Sequence, residues 1–137
     1  MCAYIAPIMA KTAQKPGFSS RCEYYRSVRD LTTVLTQSLS EVDASLQSMT
    51  DCSPAKWHLA HTTWFFETFI LSKYMAGYKK FDDSYEYLFN SYYNAVGKQY
   101  PRAKRGLMSH PSLQEVRDYR NHVDEHMLKL LESGDSA

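Results

Sequence analysis

Chemistry in this sequence rests on a few histidines, one arginine pair and a crowd of aromatic rings. His61 falls on the apolar face of an expected helix, in register with Trp57, Ala60, Trp64, Phe65, Thr68 and Leu71. An imidazole there is either a hydrogen-bonded core residue or a metal ligand. Neutral imidazole binds Fe, Zn, Cu and Ni, and bundle interiors are common places to build such sites. His58 lies three residues earlier, nearer the edge of the same stripe. His122 and His126 are four residues apart, the spacing with which a helix presents two imidazoles to zinc. Val123 and Asp124 stand where a zinc protease helix would carry its glutamate, so that mechanism is not supported. The pair flanks an apolar stripe, which suits solvated side chains. Joined to His61 it would make a three-histidine site, the alternative reading.

Arg102 and Arg105 are three apart in Lys98–Arg105, a basic stretch with no acidic residue. Two guanidinium groups at that spacing suit bidentate capture of a carboxylate. A solvated charge run and a nucleic-acid contact are the competing readings, the latter because aromatic residues are interleaved. Cys52 precedes a helix start, where a thiolate is stabilised, and is read as incidental. The sequence has no glycine-rich phosphate loop, no Ser-His-Asp order and no Cys-x-x-Cys pair.

Composition narrows the classes. The 137 residues suffice for one domain with its own core, and 44% apolar with 23% charged residues is ordinary for a soluble chain. A net charge of +1 supplies no bulk field toward nucleic acid or an anionic membrane. Neither partner is expected. The cysteines are odd in number and unpaired in spacing, which predicts free thiols in a reducing compartment, hence the cytoplasm. No secretory signal and no membrane span is read. Most of the aromatic residues lie between Trp57 and Tyr100, where they fill a core or wall a small-molecule site.

These groups must be positioned by helices. Residues 1–19 read as an unstructured lead-in, and residues 20–137 as one helical domain. Ser20 with Glu23 predicts a capping box, followed by a stripe of Tyr24, Val28, Leu31, Leu35 and Leu39 that ends near Glu41. Asp43–Asp51 reads as a connection. Ser53 as N-cap and Pro54 at the first helical position predict a helix to about Met75, stopped by Gly77. A short helix is expected within Asp82–Ala95, ending at Gly97, and Lys98–Arg105 reads as a loop. Pro111, Ser112 and Glu115 open a last helix whose stripe includes Leu113, Val116, Tyr119, Val123 and Met127, closed by Gly134. Three amphipathic helices bury their stripes only together, so the fold class is an all-α, up-and-down helical bundle with its fourth helix absent or supplied by another chain.

The run Ser53-Pro54-Ala55-Lys56-Trp57-His58-Leu59-Ala60-His61-Thr62-Thr63-Trp64-Phe65-Phe66-Glu67 resembles the signature helix of the ergothioneine biosynthesis protein EgtB family. Phe89–Gly97, Pro101–Leu107 and a block of Tyr119-Arg120, His122-Val123-Asp124, Met127 and Leu130-Leu131 match further family segments in order, over residues 24–131. The resemblance implies a DinB-like four-helix bundle. It implies an Fe(II)- and O₂-dependent sulfoxide synthase that couples a thiol, γ-glutamylcysteine or cysteine, to hercynine. It implies His61 as the first of three histidine ligands, no ligand role for His58, and Arg102 and Arg105 as partners of the thiol substrate's carboxylates.

The sequence also departs from that family. The other two iron ligands come from a His-Glu-x-x-His-like motif on the fourth helix, and that motif is absent from these residues. So is the larger domain similar to formylglycine-generating enzymes. His122 and His126 imitate the motif within segments that match the preceding helix, so no ligand role passes to them. His110 stands where the family often has arginine. Two expectations follow: a portion of the enzyme, inactive alone, or a standalone helical module without chemistry. Either would expose an apolar groove and favour homo-oligomers.

Overall fold

The computed structural model describes Gly17 and residues 19–135; the lead-in expected over residues 1–19 lies almost wholly outside them. Every regular element among the described residues is helical. None of these helices is long and apolar enough to cross a membrane.

Helix α1 spans Arg21–Thr36, and Ser20 caps it by accepting the Glu23 N–H at 3.2 Å. The expected box is shifted by one residue, because the Glu23 carboxylate takes the N–H of Ser19. The helix stops before Glu41. Ser40 and Asp43 form a complete reciprocal box there and start a separate short helix, α2, Glu41–Ser45. Helix α3, Ala55–Phe66, begins one residue later than expected, with Pro54 as its N-cap. Ser53 does not cap it, because its hydroxyl accepts instead from Arg105 at 2.8 Å. A π-helical turn, Glu67–Leu71, and a final turn, α4 (Ser72–Tyr74), continue the rod. Gly77 ends the segment in the left-handed region (φ 74°). Helix α5, Tyr85–Phe89, is the short helix of the irregular stretch. The expected basic loop contains a 3₁₀ turn, Arg102–Leu107. Helix α6, Leu113–Asp135, opens on the Ser112–Glu115 box and runs through Gly134 rather than stopping before it.

The α6 stripe is buried as its periodicity requires: Leu113, Val116, Tyr119, Val123 and Met127 pack against Trp57, Trp64, Tyr85 and Phe89. The α3–α6 pair is the spine of the fold. Buried Glu67, in the π turn, accepts from Tyr119 Oη at 2.6 Å, Tyr78 Oη at 2.7 Å and the Phe81 N–H at 2.9 Å. That carboxylate pins the chain entering α5 onto the spine.

The stripe expected of α1 faces the other way. Tyr24, Leu31 and Leu35 are 58%, 58% and 70% exposed, and the inward face carries Cys22, Tyr25 and Arg29. The cause is a polar knot. Arg29 pairs with Asp124 at 2.7 Å and donates to Thr63 at 2.8 Å; Tyr25 Oη reaches the same carboxylate at 2.5 Å. Arg120 donates to Thr32 at 2.7 Å and to the Arg29 carbonyl at 3.3 Å. Buried guanidinium groups left unpaired cost several kcal/mol, so α1 turns to satisfy them and presents its apolar residues outward.

Candidate functional site

The site begins at the C-terminus of α5. The last carbonyls of a helix have no partner within it, and α3 supplies two donors there. Trp57 Nε1 donates to the Leu88 carbonyl at 3.0 Å, and His61 Nδ1 lies 2.6 Å from the Phe89 carbonyl. A carbonyl only accepts, so Nδ1 carries the proton and Nε2 presents its lone pair. Nε2 makes no hydrogen bond among the described residues. The imidazole is also clamped from both faces. It stacks on Trp57 at 4.6 Å and on Trp64 at 5.6 Å, nearly parallel to each, because positions 57, 61 and 64 fall on one helix face. Burial, followed by the nearby Arg105, lowers the His61 pKa, although the bond to Phe89 opposes that shift. The ring is therefore a neutral, fixed-tautomer, ligand-competent imidazole.

His61 lines a cleft of about 800 Å³ shared with Cys52, His58, Tyr92, Arg102 and Arg105. The 3₁₀ turn carries both arginines into it. Arg105 is 3% exposed. Its guanidinium lies 3.5 Å above the Trp57 ring, extending the His61 stack by one layer. One terminal nitrogen donates to Ser53, while Nε is buried without a partner. Burial and then Arg102 push its pKa down to about 10. Arg102 sits 4.9 Å from the Tyr92 ring centroid and, among the described residues, its side chain donates to the Asp51 carbonyl at 3.5 Å. Neither arginine has a carboxylate partner among the described residues. Two guanidinium groups that line a cleft without a carboxylate partner are suited to an anionic ligand.

The structure thus gathers His61, Arg102 and Arg105 in one cleft, across more than forty residues of chain. His58 lines the cleft too, exposed at its edge, with its pKa lowered by burial, then Arg105 and Arg102. The apolar trough between α1 and α3, lined by Leu35, Ala55 and Leu59, adjoins the cleft at His58.

His122 and His126 do not join His61. Their rings pack on each other and on Tyr78, and His126 Nδ1 is bound to the His122 carbonyl one turn back. Among the described residues no three His, Cys, Asp or Glu side chains come together as a metal site. The three-histidine alternative is therefore corrected: helical spacing brought the pair together, and packing around Tyr78 kept it from His61. The residues present fit one arm of a metal centre, a free neutral Nε2 with a carbonyl behind it. Spacing gave Cys52 only an incidental reading and singled out neither Gln47 nor Tyr92; tertiary contacts bring all three to the arginine turn.

A family model described as the DinB superfamily matches residues 24–137. No curated protein matches the sequence.

Proposed function

The chain belongs to the DinB superfamily, and we propose that within it this domain is the N-terminal, first-ligand portion of a non-haem iron sulfoxide synthase of ergothioneine biosynthesis. The observation that carries the reading is His61: a neutral imidazole, its tautomer set by the Phe89 carbonyl, with Nε2 unspent beside a cleft. When bound, Fe(II) supplies the O₂ chemistry that joins the thiol's sulfur to the imidazole carbon of hercynine. His61 holds one coordination position, oriented by its stack between two indoles. Arg102 and Arg105 hold the carboxylates of γ-glutamylcysteine or cysteine, and Trp57, Tyr92 and Tyr93 wall the cleft. Two further imidazoles belong to a His-Glu-x-x-His-like helix, and the apolar trough beside His58 is its seat.

The test is anaerobic Fe(II) titration of the chain, read by paramagnetic broadening of histidine ring signals. The His61 resonances broaden before those of His122 and His126, and His61→Ala removes that first phase while His122→Ala leaves it. Broadening confined to other histidines would remove the iron reading.

A second reading is favoured by the outward α1 face: a non-catalytic helical module that assembles through Tyr24, Val28, Leu31 and Leu35. These fall at alternating spacings of four and three, the pattern of a helix–helix seam. On this reading the chain self-associates, and double substitution Leu31→Glu/Leu35→Glu returns it to a monomer in sedimentation velocity.

A further inference from the structure

Two segments meet beside the cleft: the irregular connection between α2 and α3, and the 3₁₀ turn Arg102–Leu107. One side chain joins them. Gln47 Nε2 donates to the Arg102 carbonyl at 2.8 Å and to the Cys52 carbonyl at 2.7 Å, and Gln47 Oε1 accepts the Gly106 N–H at 2.7 Å. Two acceptors on one side and a donor on the other fix which end of the amide is nitrogen. Among the described residues, the main chain of the turn is hydrogen-bonded to another segment only through Gln47. The contact also dictates residue type. Gly106 has no left-handed φ that would itself demand glycine. A Cβ there would stand 2.7 Å from Gln47 Cβ, an atom that no change of rotamer moves away. Glutamine at 47 and glycine at 106 form one lock.

What the lock holds is the stack at the back of the cleft. Arg105 directly precedes Gly106, and its guanidinium lies 3.5 Å from the centre of the Trp57 ring; Trp57 in turn stacks on His61 at 4.6 Å. We propose that Gln47 is a positioning residue of the cleft: its amide, packed on Gly106, sets the height of the 3₁₀ turn and so seats Arg105 on Trp57, the ring against which His61 is stacked. A glutamate cannot replace it, because its carboxylate would face two carbonyl oxygens. The inference rests on the proposed function only for the use of the cleft. The lock itself needs neither metal nor thiol.

The test breaks the lock in two different ways. Gln47→Met keeps the length of the side chain and deletes its three bonds, whereas Gly106→Ala keeps the amide and drives it away. In each variant the Arg105 side-chain proton signals, moved upfield by the Trp57 ring, lose most of that shift. The signals of Tyr119 and Val123 in the α3–α6 core stay in place, as they would not in a generally loosened fold. Thr50→Ala, exposed on the same connection, leaves Arg105 unchanged. The double variant displaces Arg105 no further than the larger single one, since one lock breaks once. Where the chain binds γ-glutamylcysteine, Gln47→Met weakens that binding about fivefold, the scale of one net hydrogen bond. A wild-type chain that binds neither iron nor this thiol would remove the proposed function, while the Arg105 signals still decide the role of Gln47. Arg105 signals that keep their shift in Gln47→Met, displacements that add in the double variant, or an unchanged affinity in Gln47→Met would overturn the proposal.

Discussion

Arg29 and Arg120 lie between α1, α3 and α6 with their donors spent on protein: Asp124, Thr32, Thr63 and the backbone of Leu59 and Arg29. Arg105 is just as buried and is left with one hydroxyl, one indole face and an empty-handed Nε. Both regions began as cations on helical or turn segments beside aromatic residues, indistinguishable by residue type. What separates them is the counter-charge. The first region carries Asp124 at its centre and is a closed knot that sets the angle of α1. The second has no acid within ion-pair reach among the described residues, so its charge remains available to something outside the protein.

That contrast breaks most readily at Asp124. Asp124→Ala strands Arg29, whose side chain is 7% exposed, and removes the only carboxylate of the knot. Leaving one partner of a buried pair costs about 3–5 kcal/mol; with Asp124 itself 24% exposed, a loss of about 2–3 kcal/mol is expected in urea unfolding. Arg105→Met changes stability by less than about 1 kcal/mol, since removing an unpaired buried cation offsets the lost Ser53 bond and Trp57 stack. Equal costs for the two substitutions would show that the regions do not differ in the way described.

The reverse ranking holds for ligands. Under the proposed function, Arg105→Met weakens γ-glutamylcysteine binding at least about tenfold, roughly 1.4 kcal/mol, whereas Asp124→Asn, retaining the fold, leaves it unchanged. Chemical-shift titration of the cleft tyrosines measures both. An unchanged affinity in Arg105→Met would place the anion seat elsewhere.

A smaller effect sharpens what each face of α1 is for. Leu31→Glu/Leu35→Glu alters the unfolding free energy of the monomer by about 0.5 kcal/mol or less, as exposed positions do. Had the stripe been core, the cost would be several kcal/mol. The legibility of the sequence divides here. Periodicity located α6 and its buried stripe correctly, because Arg120, the cation on that face, is itself buried with its donors met by the Leu59 carbonyl and Thr32. The same periodicity misoriented α1, because the decisive contacts join elements far apart in the chain: Arg29 on α1 reaches Thr63 on α3 and Asp124 on α6, and Arg120 on α6 reaches back to Thr32 on α1. His61 was legible as an inward residue from its register with Trp57 and Trp64. Its tautomer was not, because that depends on a carbonyl of a short helix nearly thirty residues away.

The smallest expected effect concerns the proton on His61. Burial, then Arg105 and His58, lower its folded-state pKa, with the Phe89 bond acting against them. The unfolded chain has an ordinary histidine, near 6.5. Above that value both states are neutral and the residue contributes no pH dependence. As pH falls below it, the unfolded state takes up the proton first, so stability declines until the lower folded pKa is also passed. His61→Gln is therefore expected to flatten part of the stability loss between neutral and mildly acidic pH, and the remainder includes His58, which shifts in the same direction. Urea midpoints of the two proteins across that window measure the slope. The ring signals of His61 titrate below those of a model histidine in the same experiment. A His61 that titrates at or above the ordinary value would mean that its Nε2 is already held as a donor. It would then be a structural histidine with a second acceptor, and the contrast between spent and unspent polar groups would lose its best member.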